Sequence, residues 1–254
     1  MTARRHDLPA LGLDAVRLLG AGAIAFGVEG LFESNRMLAL MVGALAVDWL
    51  AGRAGLKWDE TDKARWQQLG ATLGKGAAIG GAIALVSVLV LAALRKANLG
   101  VGEPAPVGLG IGVLTALVQA ARDELLYRGM PLALMKDRVS DRFALPFTAL
   151  LGAAPLLLSS HATPAGVVVV LLSGFAFALL WRLGKGMYLP WGAHAAWLFF
   201  SGTGVRGMLL DVRFSDGQLL PAASASGAAA WVAIAVIGLA IAALLAWIRR
   251  VPRD

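Results

Sequence analysis

Cysteine is absent from the 254-residue chain, and this absence removes several kinds of site at once. Without a thiol there is no disulfide, no thiolate nucleophile, no lipid-modified cysteine anchor and no iron–sulfur centre. Histidine is nearly as scarce, since the three copies are His6, His161 and His194. Any imidazole chemistry in this protein therefore depends on very few positions.

Charge is also in short supply. Charged residues make up 15% of the chain and hydrophobic residues 58%, whereas soluble proteins are about 25% charged. The mean hydropathy is +0.72. The net charge of +7 comes from basic residues that cluster between apolar segments, which is typical of cytoplasmic loops. We therefore expect the lipid bilayer as a partner and no nucleic acid.

Long apolar runs predict an all-α, polytopic bundle of about eight transmembrane helices, since each crossing takes about 20 residues. The eight segments are residues 14–32, 37–52, 70–94, 106–135, 143–160, 165–183, 187–202 and 228–248. We divide the chain into three N-terminal helices (1–105), a core of four helices (106–202), and a loop with the last helix (203–254). The loop, 203–227, is either a lid or a connector.

The distribution of lysine and arginine predicts the orientation of these helices. With the N-terminus inside the cell, fourteen basic residues fall in cytoplasmic pieces and five in the opposite loops. This asymmetry fits the positive-inside rule. Both termini are therefore expected in the cytoplasm.

Two residue types suggest how the helices pack and where they meet the membrane surface. The pairs Gly76/Gly80 and Gly108/Gly112 are spaced four apart, which lets helix backbones approach closely. Tryptophan is typical of membrane interfaces. The tryptophans near predicted helix ends are Trp58, Trp66, Trp181, Trp191 and Trp247.

The segment from Asp123 to Arg128 places three charges inside an apolar helical stretch. A charge near the bilayer centre costs at least about 2.5–3.5 kcal/mol, so such residues usually face the protein interior and have a function. Glu124 and Arg128 are four residues apart and can pair on one helix face. Asp123 lies about 100° away around the helix, as expected for 3.6 residues per turn. One carboxylate can thus be held by the arginine while the other stays available.

His161 and His194 lie at or within later apolar segments. A lone membrane histidine often only bridges two helices, but two of them beside the acidic pair favour a shared site. At 1.5 Å per residue, Asp123 lies roughly 22 Å and His161 roughly 27 Å from the inner membrane edge, against roughly 12 Å for His194. A tilt, or a re-entrant start near Pro190, is needed to bring His194 to the same depth.

These residue types suit peptide hydrolysis. A carboxylate beside an imidazole can take a proton from water and return it to a leaving amine. A second imidazole can donate a hydrogen bond to the oxyanion of the tetrahedral intermediate. We expect no cofactor, although two histidines and a carboxylate also form a zinc-binding set. The sequence does not choose between the metal-free and metal-bound forms.

The motifs resemble those of the CPBP family of intramembrane endopeptidases, which includes CAAX proteases and bacteriocin-processing enzymes. Its signature is Glu-Glu-x-x-x-Arg, then Phe-x-x-x-His, then His-x-x-x-Asn or Asp. The corresponding segments here are Asp123 to Arg128, Leu157 to His161, and His194 to Leu198. The chain departs from the family pattern at Asp123, which replaces Glu, and at Leu157 and Leu198.

The resemblance implies a role for each motif residue. Asp123, or Glu124 in its place, would activate water, and His161 would share that proton. His194 would stabilise the oxyanion, and Arg128 would orient Glu124. The implied activity is hydrolysis of a membrane-associated peptide or protein tail by a glutamic-type enzyme or an aspartate variant, as in processing of C-terminal sorting tails.

Two other functions stay open at this point. The departures at Asp123 and Leu198 fit a non-catalytic scaffold or immunity-like protein that keeps the fold. Intramembrane carboxylates and histidines also build proton relays in transporters, although no inverted repeat is visible. The Ala-, Gly-, Leu- and Arg-rich composition is typical of a high-GC bacterium, so the expected location is the bacterial inner membrane.

Overall fold

A computed structural model describes residues 8–32, 34–53, 66–136, 138–157, 160, 162–202, 204, 206–219 and 222–250. Its helices are α1 (Leu8–Leu31), α2 (Arg36–Arg53), α3 (Trp66–Ala93), α4 (Pro106–Glu124), α5 (Met130–Met135), α6 (Asp141–Leu157), α7 (Pro164–Gly184), α8 (Tyr188–Ser201) and α9 (Gly227–Arg250). The π-helical residues Leu125–Gly129 join α4 to α5 without a break. Each of the eight predicted segments therefore coincides with a helix.

Three helices of the described chain are long and apolar enough to cross a membrane. They run over Gln68–Ala93, Pro164–Gly184 and Gly227–Arg250, and a shorter apolar helix covers Val16–Gly27. A mostly helical, membrane-type fold is thus confirmed, whereas eight crossings stay a prediction. The helix from 106 carries the acidic motif, which lowers its hydropathy, and α8 has only 14 residues.

Helix α7 shows how local sequence sets the ends of these helices. The Thr163 hydroxyl accepts a hydrogen bond from the Gly166 amide (2.9 Å), and Pro164 occupies the first turn. Both features are typical of helix starts. The helix ends where Lys185 adopts a left-handed backbone with φ of 50°. These signals frame the apolar run and position its inward face, which lines the site described below.

A two-stranded antiparallel ribbon corrects the all-α expectation. Strand β1 (Ala97–Val101) pairs with β2 (Leu210–Phe214), from Ala97 opposite Phe214 to Val101 opposite Leu210. The sequence predicts no strand in either segment and a loop over 203–227. The pairing partners are more than a hundred residues apart in the chain, so no local pattern indicates it. The ribbon ties the start of α4 to the segment between α8 and α9.

Close packing of α3 against α8 uses the predicted Gly76/Gly80 pair. A Cβ on Gly76 would overlap the Leu189 carbonyl, and a Cβ on Gly80 would overlap that of Ala193. The pair therefore allows the backbones to touch, as expected. Gly108 has another role, because a Cβ there would meet the Met208 methyl group at 2.5 Å. It makes room for a side chain of the segment after α8 instead of a neighbouring helix.

The turn between α7 and α8 has one exposed side, at Lys185, and one buried side, at Met187. Met187, just before α8, is buried in an apolar cluster that also holds Leu125, Leu126, Met130 and Trp181. The start of α8 therefore packs against residues 125–130. The contact of His194 with Glu124 at 2.8 Å places His194 at the level of the acidic motif, so the depth mismatch of the helix-length arithmetic is not present.

Candidate active site

Glu124 is the centre of the buried polar cluster. Its side chain is fully buried, and three groups surround its carboxylate. Arg128 Nη1 donates to Oε1 at 2.5 Å, and His194 Nδ1 lies 2.8 Å from the same oxygen. Trp181 Nε1 donates to Oε2 at 2.9 Å. Both oxygens are thus engaged, as a buried carboxylate requires.

The chain places Glu124 and Arg128 together through local geometry. The two residues are four apart, and their expected ion pair is present. Glu124 ends α4, and Arg128 lies in the π-helical turn that follows. Such π-helical turns are rare inside α-helices. Those that do occur are often at functional sites. The π-helical turn is therefore a second indication, beside the buried charges, of a functional site at the acidic motif.

Helix α7 supplies the wall behind this pair. Arg128 Nε donates to the Gly174 carbonyl at 3.2 Å, and its guanidinium lies 5.3 Å from the Phe177 ring centre. Phe177 also stacks on His194, with ring centres 4.7 Å apart. Gly174, Phe177 and Trp181 occur at helical spacing on one face of α7. A side chain at position 174 would come within 3.3 Å of the arginine.

Trp181 is buried, although the sequence predicts it near a membrane interface. It is 9% exposed and donates a hydrogen bond to Glu124. Trp191 is also inward, since its indole N–H donates to the Leu117 carbonyl at 2.8 Å. A buried indole needs an acceptor. Apolar neighbours at helical spacing around Trp181 were the available signal, but they do not identify which acceptor it meets.

Asp123 has a different environment from its neighbour. Its side chain is 15% exposed and lines a cavity of about 770 Å³. Oδ1 lies 2.8 Å from Arg122 Nε, but the two atoms are not aligned as a hydrogen bond. Among the described residues, no donor is directed at that oxygen. Arg122 was absent from the predicted site residues.

His194 reaches the same cavity from α8. A carboxylate only accepts hydrogen bonds, so the contact with Glu124 places a proton on Nδ1. In the neutral ring, Nε2 then carries a lone pair that can take a proton. In the imidazolium form, Nε2 can donate a hydrogen bond instead. The orientation of the ring is thus set by Glu124. The other ring nitrogen, Nε2, remains available to take a proton or to donate a hydrogen bond to a substrate.

The cavity collects the other positions of the predicted site. Arg128, Asp123 and His194 line it together, and Leu198 occupies the wall where the resembled family carries a polar group. Leu157 is 69% exposed. His161 lies outside the described residues, and its closeness to Asp123 stays a prediction.

The described residues include no group of three His, Cys, Asp or Glu side chains that could hold a metal ion. The zinc-binding set named from the sequence includes His161, which lies outside the described residues, so the choice between the metal-free and metal-bound forms is not decided by these contacts.

Residues 105–200 match the family model described as "Type II CAAX prenyl endopeptidase Rce1-like". The match confirms the resemblance to the CAAX protease family and covers the three motifs. No curated protein and no solved structure shows a significant match to the chain. The matched family is a protease family, which supports a peptide hydrolase in a membrane at this general level.

Proposed function

We propose that this protein is an intramembrane endopeptidase of the bacterial inner membrane that hydrolyses a peptide bond in a membrane-associated peptide or protein tail. The observation that carries the proposal is the different environment of two adjacent acids. Glu124 is enclosed by Arg128, His194 and Trp181, whereas Asp123 lines the cavity beside His194.

Asp123 is the proposed general base. Its carboxylate lines the cavity, and its side chain is 15% exposed, so it can accept a hydrogen bond from a water molecule there. In the first step the water oxygen bonds to the peptide carbonyl carbon while Asp123 takes the proton. In the second step the carbon–nitrogen bond breaks and the proton passes to the leaving amine. His161 would share this proton, as the resemblance implies.

His194 is the proposed oxyanion stabiliser, with Glu124 and Arg128 as its positioning residues. The ring is held through Nδ1 by Glu124 and through stacking by Phe177. When protonated at Nε2, it can donate to the developing negative charge on the carbonyl oxygen. Because Leu198 offers no polar group, this stabilisation depends more heavily on His194 than in the resembled family.

The apolar Leu198 and the shorter Asp123 also favour a second candidate, a non-catalytic scaffold or immunity-like protein. Loss of an oxyanion donor typically costs about 10²–10³ in rate. A misplacement of about 1 Å at the base can cost ~10². A chain with both Leu198 and Asp123 at these positions has either a rearranged active site or no catalytic activity.

Quantitative mass spectrometry of membrane-protein termini tests between the two. Cells that make the wild-type protein should contain new termini that disappear in the gene deletion and with Asp123→Asn. Asp141→Asn is the matched control, since Asp141 forms an exposed pair with Arg182 at 2.8 Å. If wild-type, Asp123→Asn and deletion strains share identical termini, the scaffold function replaces the protease. A C-terminal fragment among the products would support processing of sorting tails.

A further inference from the structure

We propose that Gln119 is a further catalytic residue, which donates a second hydrogen bond to the oxyanion beside the one assigned to His194. This role rests on the proposed function, since it assigns a donor for the same reaction. A carbonyl oxygen has two lone pairs and can accept two hydrogen bonds. Leu198, one helical turn after His194 on α8, has no donor to offer. A second donor therefore has to come from another wall of the cavity.

Helix α4 carries two adjacent stripes of side chains that differ in exposure. The buried stripe consists of Gly112, Ala116, Ala120 and Glu124. The half-buried stripe lines the cavity with Thr115, Gln119 and Asp123. Residues four apart lie on the same helix face. The second stripe therefore directs Gln119 to the same side of α4 as the proposed base.

The two ends of α8 show that it runs antiparallel to α4. Met187, just before α8, packs in the apolar cluster with residues 125–130. Met208, after α8, lies close to Gly108, where its methyl group would be 2.5 Å from an added Cβ. The α8 residues after His194 therefore face the α4 residues that precede the acidic motif.

Gln119 and Leu198 thus lie at a similar level, and both line the cavity. Asp123 follows Gln119 by four residues, which places their Cβ atoms about 5–6 Å apart on the helix. A reacting carbonyl group has to lie about 3 Å from both the water-activating group and the oxyanion donor. The spacing of Asp123 and Gln119 suits a carbonyl group placed between them.

The side-chain amide of Gln119 is not used by the protein itself. A polar side chain in a membrane helix often bridges two helices. Among the described residues, no hydrogen bond joins the Gln119 side chain to another group. By contrast, the hydroxyl of Ser173, also on the cavity wall, donates to the Val170 carbonyl at 3.1 Å. The Gln119 amide is therefore available to a ligand in the cavity.

Gln119 acts on charge and transfers no proton. The water oxygen bonds to the peptide carbonyl carbon, a water proton passes to Asp123, and the π electron pair of the carbonyl moves onto its oxygen. The Gln119 N–H and the His194 ring donate to that oxygen. Because the charge on the oxygen is larger in the transition state than in the substrate, the donor raises kcat more than it strengthens substrate binding.

Steady-state kinetics of the purified full-length protein in micelles test this role. The probe is a fluorogenic peptide that spans a cleavage junction found by mass spectrometry of membrane-protein termini. Gln119→Met keeps the length of the side chain but removes its donor. It should lower kcat about 10²–10³-fold and change KM by less than about threefold. Gln119→Asn keeps a shorter amide and should retain more activity than Gln119→Met.

Gln68→Met is the matched control, because Gln68 is exposed near the start of α3. It should leave kcat and KM at their wild-type values. The unfolding temperature of Gln119→Met should also equal that of the wild type. A fall in kcat below about threefold, or a change confined to KM, overturns the role of Gln119. A lower unfolding temperature that accounts for the lost activity makes Gln119 structural and overturns the role as well.

A second-site variant separates loss of the donor from a change of cavity shape. Leu198→Asn, made together with Gln119→Met, places an amide on the cavity wall one turn after His194. Recovery of at least about tenfold in kcat supports the assignment, because it replaces the donor from a different helix.

Failure of this role and failure of the proposed function give different results. If no junction depends on the wild-type protein, the protease is refuted and the role of Gln119 falls with it. If a junction requires Asp123 but is cut equally fast by the wild type and Gln119→Met, the protease stands and only the role of Gln119 is overturned.

Discussion

Trp181 donates its indole N–H to Glu124 Oε2 at 2.9 Å across 57 residues of sequence. This hydrogen bond links α7 to the acidic motif of α4 and leaves Oε1 to Arg128 and His194. One carboxylate oxygen is therefore held by Trp181, and the other contacts Arg128 and orients the His194 imidazole. The arrangement makes Glu124 a positioning residue in the proposed mechanism and leaves contact with water to Asp123.

The two acids should respond differently to loss of charge. Asp123→Asn should abolish processing while the protein still accumulates in the membrane, because the side chain lines the cavity. Glu124→Gln should lower the stability of the protein by about 3–5 kcal/mol, since it leaves the buried Arg128 without its partner. Membrane-protein termini and thermal unfolding in micelles measure the two effects. A stable but inactive Glu124→Gln with an active Asp123→Asn would reverse the roles.

The family-like variant and the histidines extend this test. Asp123→Glu should keep activity if the cavity accepts one more methylene group. His194→Ala and His161→Ala should each abolish processing with the protein still present. Normal termini in all of these variants would argue against a site at these positions.

Trp181→Phe should reduce both stability and activity. The change keeps the aromatic bulk but leaves Glu124 Oε2 buried without its donor, which costs about 1–3 kcal/mol. Trp247→Phe is the matched control, since Trp247 is 61% exposed. Unfolding temperature and processing should both fall for Trp181→Phe and not for Trp247→Phe. Equal results for Trp181→Phe and the wild type would contradict a positioning role of this hydrogen bond.

Arg128→Lys should be poorly tolerated although it keeps the charge. A single ammonium cannot bind Glu124 and the Gly174 carbonyl in the fork geometry of a guanidinium, and it loses the stacking on Phe177. The expected result is a clear fall in thermal stability and in activity. Arg182→Lys, at an exposed ion pair, should change stability by less than about 1 kcal/mol. An equal loss of thermal stability in Arg128→Lys and Arg182→Lys would contradict a buried arginine that needs all of these contacts.

Gly80→Ala should displace α8 and with it His194. The added Cβ would overlap the Ala193 carbonyl, and overpacking of this kind costs about 1–3 kcal/mol. Gly110→Ala is the control, because no atom lies within 4 Å of a Cβ placed there. Unfolding temperature and processing should both fall for Gly80→Ala only. An equal fall for both variants would contradict close packing at Gly80 as the cause, because Gly→Ala at an open helical position favours the helix.

Reporter fusions test the predicted orientation. A reporter that is active only outside the cytoplasm should be inactive when fused at residue 60 or at the C-terminus, and active when fused after residue 216. The basis is the concentration of lysine and arginine in the predicted cytoplasmic pieces. Activity at residue 60, or termini on opposite sides, would contradict the eight-crossing arrangement.

Several features followed from the sequence because they depend on near neighbours in the chain. Apolar run length located the helices, including the continuous helix over 106–135, whose π-helical turn was not foreseen. The four-residue spacing of Glu124 and Arg128 was sufficient to predict their pair, because residues so spaced share a helix face. The motifs in residues 105–200 were sufficient to indicate the resemblance to the family whose model matches there.

Tertiary structure decided everything that required distant segments to meet. The β1–β2 ribbon, the Trp181 hydrogen bond and the packing of Met187 against residues 125–130 join positions far apart in the chain, which local periodicity does not encode. The same contacts determined which acid faces the cavity. Asp123 and Glu124 are adjacent carboxylates with the same apolar flanks. Only the packing of α7 and α8 encloses one of them and leaves the other on the cavity wall.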